Sequence, residues 1–182
     1  MSTPSLTERQ EPWVVFARAG DPWVDAEAAA VLRQGGQVVR LDAHELREPC
    51  ALFATFAREL AFPAYFGHNW DALVDCLRDW PGHGSATPDL AVLVDHADVL
   101  LGADFLGLFV SVLCWAGWHA NVALDADGEP IGYREPFALH FVFLADTAAP
   151  ADFHAAAASG RDAEVAVVDG RVTAWLTAEA WS

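Results

Sequence analysis

Three apolar runs, each parted from the next by helix-length sequence, leave this chain few folds to adopt. They are Val38 to Leu41, Leu90 to Val94 and Phe137 to Leu144. The second is continuously apolar, as in a strand buried on both faces. A strand, a helix and another strand of the same sheet need a crossover connection, so the order predicts a parallel α/β sheet. The first predicted helix between them covers about Glu48 to Ala61. Pro49 suits its first turn, Leu52, Phe53, Phe56 and Leu60 form its inward stripe, and Pro63 ends it. Asp95 to Leu101 has room for one or two helical turns. A longer helix follows from Asp104 to His119, apolar nearly all round and so predicted to be covered on both faces. The sheet would be one cover, and terminal segments the other.

Segments outside this frame add to it. Residues 1–11 are polar and expected to be loose. Trp13 to Phe16 reads as a short strand, and Asp25 to Gln34 as a helix closed by Gly35-Gly36. Residues 145–160 are Ala-rich and read as a linker. Glu164 to Val168 and Arg171 to Leu176 flank Asp169-Gly170, a strong hairpin signal. That hairpin would join the sheet edge, pair with residues 13–16 or cover the apolar helix. Asp125 to Pro130 contains Asp-x-Asp-Gly but lacks the other ligands of a calcium loop, so a turn is the better reading. The organisation expected is an N-terminal extension over 1–36, a core domain over 37–145, and a C-terminal linker and hairpin over 146–182 packed on it.

The densest information lies in Pro63 to Pro81 (PAYFGHNWDALVDCLRDWP). Pro63 and Gly67 break the preceding structure, Asn69 is a good N-cap, and Pro81 stops the helix it starts. Trp70, Leu73, Leu77 and Trp80 share one face at three- and four-residue spacing. Asp71 and Asp75 share the opposite face, with Arg78 and Asp79 a turn later. Read blandly, this is a solvated amphipathic helix with an acidic first turn. Read sharply, it is a rigid acidic prong beside Tyr65 and Phe66, shaped to meet a basic pocket.

The run Tyr65-Phe66-Gly67-x-Asn69-x-Asp71-Ala72-Leu73-x-Asp75-Cys76-Leu77-x-x-Trp80, preceded by Leu60-Ala61-Phe62-Pro63, closely resembles the signature of the barstar family, intracellular inhibitors of secreted bacterial ribonucleases. The resemblance spans about residues 37–145 in order of elements and is dense across 60–80. It implies a small three-stranded parallel sheet packed by helices, with the N-terminal strand and helix and the C-terminal hairpin as additions. It also implies that loop and helix plug a ribonuclease active site. The positions carried over are Tyr65, Gly67, Asn69, Asp71, Asp75 and Trp80, with Phe66, His68, Val74 and Arg78 between them on the same surface. Asp75 would be the plug, Asp71 a second anionic contact and Tyr65 a flat aromatic contact. Gly67 would let the loop backbone approach the partner, and Asn69 is either cap or contact. The sequence departs from the family at Val74, where the family has Trp, and at Arg78 and Asp79, where it has small uncharged residues. Val112 stands where the family carries a further acidic contact. Arg78 would pair with Asp75 or Asp71 and dull the prong, or meet an acidic group on a different target.

The charge suits such a partner. A net charge of −16, with ten Arg and no Lys, argues against nucleic acid as a ligand and favours a cationic protein, here a basic microbial ribonuclease or toxin nuclease. The reading is then an immunity-type inhibitor, with a barstar-fold module for a non-ribonuclease partner as the alternative. No enzyme motif is present: there is no H-E-x-x-H, G-x-S-x-G or phosphate-binding glycine loop. Asp71, Asp75 and His68, with His96 and Asp95, match no metal-ligand spacing, and no cofactor is expected. Cys50, Cys76 and Cys114 are widely spaced and odd in number, as for reduced, mostly buried thiols in a reducing compartment; the family resemblance implies that this is the cytoplasm of a bacterium. Residues 1–10 lack the marks of a signal peptide. The uncharged run Phe105 to Trp118 is too short to cross a membrane.

Overall fold

Every apolar run noted above becomes a strand of one six-stranded sheet in the computed structural model, which describes residues 4–82, 88–122, 127, 129 and 135–180. The strands are β1 (Val14–Arg18), β2 (Gln37–Asp42), β3 (Leu90–Asp95), β4 (Leu139–Ala145), β5 (Ala163–Val168) and β6 (Arg171–Leu176), and they lie in the order β2-β3-β4-β1-β6-β5. The first four are mutually parallel. The expected parallel trio β2-β3-β4 is therefore present, and β1 continues it as a fourth parallel strand. The hairpin extends the sheet further, β6 pairing antiparallel with β1. Its turn places Asp169 at φ 51° and Gly170 at φ 76°, the two positive φ values that a tight two-residue hairpin turn requires.

Alternation along the strands divides the core. Val14, Phe16, Phe141 and Phe143 face one layer; Val15, Ala17, Val142 and Leu144 face the other. The second layer is thin. It holds α1 (Pro22–Arg33), started by Asp21 accepting from the Trp23 amide at 2.9 Å, and the N-terminal segment. Residues from 4 onward are not loose. Leu6 is fully buried, its amide donates to Glu27 at 2.7 Å, and the Trp23 indole donates to the Pro4 carbonyl at 3.1 Å. The polar sequence hides this anchoring, because its one leucine carries no periodic signal.

The other layer holds α2 (Pro49–Glu59), α3 (Trp70–Arg78), α4 (Leu106–Val122) and the short α5 (His154–Ala157). In α2 the helix stops before Pro63, because Ala61 takes φ 50° and the Phe62 amide returns to the Ala57 carbonyl at 2.9 Å. The expected linker 145–160 is packed structure, with Phe153 and Ala157 fully buried. It packs on α4 beside the sheet and α3, which is why α4 can be apolar nearly all round. The contact is close: a Cβ on Gly160 would lie 2.2 Å from the Gly107 carbonyl oxygen. Most of the Asp125 to Pro130 turn, and positions 83–87 of the loop after α3, lie outside the described residues.

Candidate functional site

The acidic helix α3 is held at both ends. At its start Asn69 Oδ1 accepts from the Ala72 amide at 2.8 Å, while Nδ2 donates to the Gly67 carbonyl at 3.3 Å. Gly67 leaves room for that amide, since a Cβ there would sit 3.1 Å from Nδ2. At its end the Trp80 indole donates to the Leu60 carbonyl at 3.1 Å, tying the end of α3 to the end of α2. Loop 60–69 is thus closed at its base. Within it Phe66 is buried between Phe53, Phe62 and the His68 ring. His68 adopts φ 51°, and its Nδ1 lies 2.9 Å from the Phe66 carbonyl. That left-handed conformation costs about 1–2 kcal/mol for a residue with a side chain and persists where surroundings impose it.

The buried face of α3 carries Leu73, Cys76 and Leu77, with Trp70 half-buried against Phe53, Phe105 and Phe109. Burial and the carboxylates of Asp75 and Asp79 push the Cys76 thiol up, so it stays protonated at neutral pH. The outer face presents Asp71 and Asp75, the latter with its side chain 62% exposed. Tyr65 is 77% exposed on the loop beside them. Asp75 is the ridge between two hollows. On the loop side a groove of about 240 Å³ runs between Phe62, Tyr65, Asp75 and Asp79. On the α4 side a cleft of about 410 Å³ lies between Asp71, Val74, Asp75 and the outer face of α4.

The ten positions singled out in the sequence are therefore one contiguous region, but not all of it is surface. Tyr65, Gly67, His68, Asn69, Asp71 and Asp75 are exposed, and Val74 and Arg78 are partly so. Phe66 and Trp80 are core residues, 5% and 6% exposed, and can act only by holding the loop. Asn69 is a cap in this geometry. Arg78 lies 3.2 Å from Asp75 and also 3.0 Å from Asp79, so it partly neutralises the carboxylate at the ridge. Among the described residues Asp71 makes no ion pair.

The residues considered for a metal do not converge. His96 pairs with Asp146 at 2.7 Å and Asp95 with Arg40 at 2.6 Å, neither with a residue of α3. Among the described residues no group of three or more His, Cys, Asp or Glu side chains could hold a metal ion, and no helix is long and apolar enough to cross a membrane. The walls that α4 and Asp162 supply to the cleft were not legible in the sequence, because only tertiary packing brings them to α3. Compared with known families, residues 36–113 match the family model described as Barstar (barnase inhibitor).

Proposed function

With residues 36–113 belonging to the barstar family, we propose that this protein inhibits a basic microbial ribonuclease, of the secreted or toxin kind, by seating α3 and the Tyr65 loop in its active site. The observation that carries this reading is the placement of Asp75: an exposed carboxylate on a helix capped by Asn69 and anchored through Trp80, with the Tyr65 ring beside it. A ribonuclease site gathers Arg, Lys and His around the substrate phosphate. A carboxylate on a fixed helix takes the place of that phosphate and accepts the same charge-assisted hydrogen bonds. Because loop and helix are already ordered, little conformational entropy is lost on docking. Asp71 adds a second negative charge, and Tyr65 a rigid apolar contact. The net charge of −16 steers a cationic partner toward this face. The protein itself performs no chemistry in this reading. It acts by occupying the site, as an immunity protein does, in the cytoplasm where its target must be silenced.

One observation favours a second reading. The Arg78–Asp75 pair lowers the charge of the ridge, which suits a barstar-fold module whose partner is not a ribonuclease. The two separate in a titration of the pure protein into a panel of small basic microbial ribonucleases, with RNA cleavage as the readout. Inhibition reaching its end point at one molecule per ribonuclease supports the inhibitor. Unimpeded cleavage by every member of the panel overturns it in favour of the second reading.

A further inference from the structure

Two histidines far apart in the sequence meet at the carboxyl ends of the parallel strands. His44 follows β2 and His96 follows β3. Their ring centroids lie 5.3 Å apart, with the planes tilted by 54°. Both residues are exposed, and neither lines the hollows beside Asp75. Each ring is oriented by its own carboxylate: His44 Nδ1 lies 2.8 Å from Asp42, and His96 Nδ1 lies 2.7 Å from Asp146. An ionised carboxylate only accepts, so both Nδ1 atoms carry the proton and each neutral ring keeps its lone pair on Nε2. Among the described residues neither Nε2 has a hydrogen-bond partner. The carboxylate behind His96 is itself braced. Asp98 accepts from the amides of Asp146 and Ala148 at 2.6 Å and of Thr147 at 3.0 Å, which fixes the loop after β4 against the turn that follows His96.

We propose that His44 and His96 together bind a divalent transition-metal ion of the class that prefers imidazole, zinc above all, with water completing its shell. A histidine that ligates such an ion donates its other ring N–H to a carboxylate or carbonyl, which fixes the tautomer and makes the ligand more basic. Both rings here have that partner. A zinc–nitrogen bond of about 2.0–2.1 Å puts a ring centre about 3.2 Å from the metal, so two imidazoles at a tetrahedral angle have centres about 5.2 Å apart. The observed 5.3 Å matches that spacing. Asp146 and Asp42 both act electrostatically on His96, and their negative charge suits a dication. Two protein ligands are fewer than a closed structural site holds, so the ion is exchangeable. Magnesium, which prefers oxygen ligands, gains nothing from the two rings. The bound ion would tie the segment after β2 to the segment after β3. This inference is independent of what α3 docks.

Zinc chloride is titrated into the full chain, and the imidazole Cε1–H resonances of His44 and His96, assigned through His44→Gln and His96→Gln, are followed by NMR. Magnesium chloride is the control for general attraction of cations to an acidic protein. The expected result is that both resonances shift together and saturate at one ion per chain, that magnesium leaves them in place, and that a chelator restores the free spectrum. In His44→Gln the His96 resonance should need about tenfold more zinc. In Asp146→Asn, which keeps an acceptor for Nδ1 but loses the charge, zinc binding should weaken about tenfold. His44 and Asp146 are exposed, so both variants keep the fold, and their unchanged remaining amide spectra verify that. A His96 titration unaltered by His44→Gln would mean two separate histidines and overturn the inference. No saturable shift with zinc, an equal response to magnesium, or an Asp146→Asn titration matching the parent would overturn it as well.

Discussion

Arg78 is the residue whose chemistry most directly opposes the proposed role of its neighbour. It shares its guanidinium between Asp79 and Asp75, so a cation on the target must compete for the Asp75 carboxylate. The Asp75 end of this pair is exposed although the Arg78 side chain is only 20% so, and a pair open to solvent on one side is worth about 0.2–1 kcal/mol. Arg78→Gln should therefore tighten inhibition by up to about fivefold, read as a lower inhibition constant at low salt. Weaker inhibition by the variant would mean that Arg78 itself touches the target. Asn69 shows the same economy at the helix start. Its side chain was readable as either a cap or a contact, and both of its polar atoms are spent on the loop and the helix. Phe66 and Trp80 read as members of the contact surface because they stand inside its motif. Their burial follows from something a linear motif does not carry, namely that loop 60–69 needs its own small core.

Among the elements, those with a strong local signal were legible from the chain alone. The strands, the helix capped by Asn69 and the Asp169-Gly170 hairpin all lie where their residues predict. The segment 145–160 was not legible, because an Ala-rich stretch has low contrast between its buried and exposed faces. Its role depends on one close approach, where Gly160 meets Gly107 of α4. Gly160→Ala should force the two backbones apart, since its Cβ would sit far inside contact distance of the Gly107 carbonyl oxygen. The expected cost is about 1–3 kcal/mol in urea unfolding, with faster amide exchange in α5 and β5. A variant as stable as the parent would show that this packing is dispensable. The position of β1 inside the sheet was equally hidden. Its four-residue apolar run fits an edge strand or a central one, and only pairing with both β4 and β6 decides between them.

For the molecule as a whole, the N-terminal segment and the sheet are joined through a fully buried histidine. The ring nitrogens of His140 lie 3.1 Å from the Pro12 carbonyl and 2.8 Å from the Glu8 carbonyl. A neutral ring can donate to one of these at a time. Burial holds the His140 pKa below its usual value, outweighing the pull of the two carbonyls in the other direction. The unfolded chain therefore takes up this proton at a higher pH than the folded one. Stability is fully present above about pH 6.5 and is lost as the pH falls below that ordinary histidine value. His96 is shifted upward by its hydrogen bond to Asp146, so the informative quantity is a difference between two proteins. Between pH 7.5 and 5.5 the parent should lose more stability than His140→Asn, measured by urea unfolding at each pH. Parallel pH profiles would remove His140 from this role.

The central claim is that the Asp75 carboxylate occupies the place of a substrate phosphate in a basic site. The measurement that tests it most directly is the inhibition constant of Asp75→Ala beside the parent, on a ribonuclease that the parent inhibits stoichiometrically. Asp75 lies on the solvent side of α3, and the helix keeps its cap and its Trp80 anchor without it, so the variant remains folded. Loss of charge-assisted hydrogen bonds at the centre of the contact predicts an inhibition constant raised about a hundredfold or more. An unchanged constant would contradict the account and move the contact to another face of the molecule.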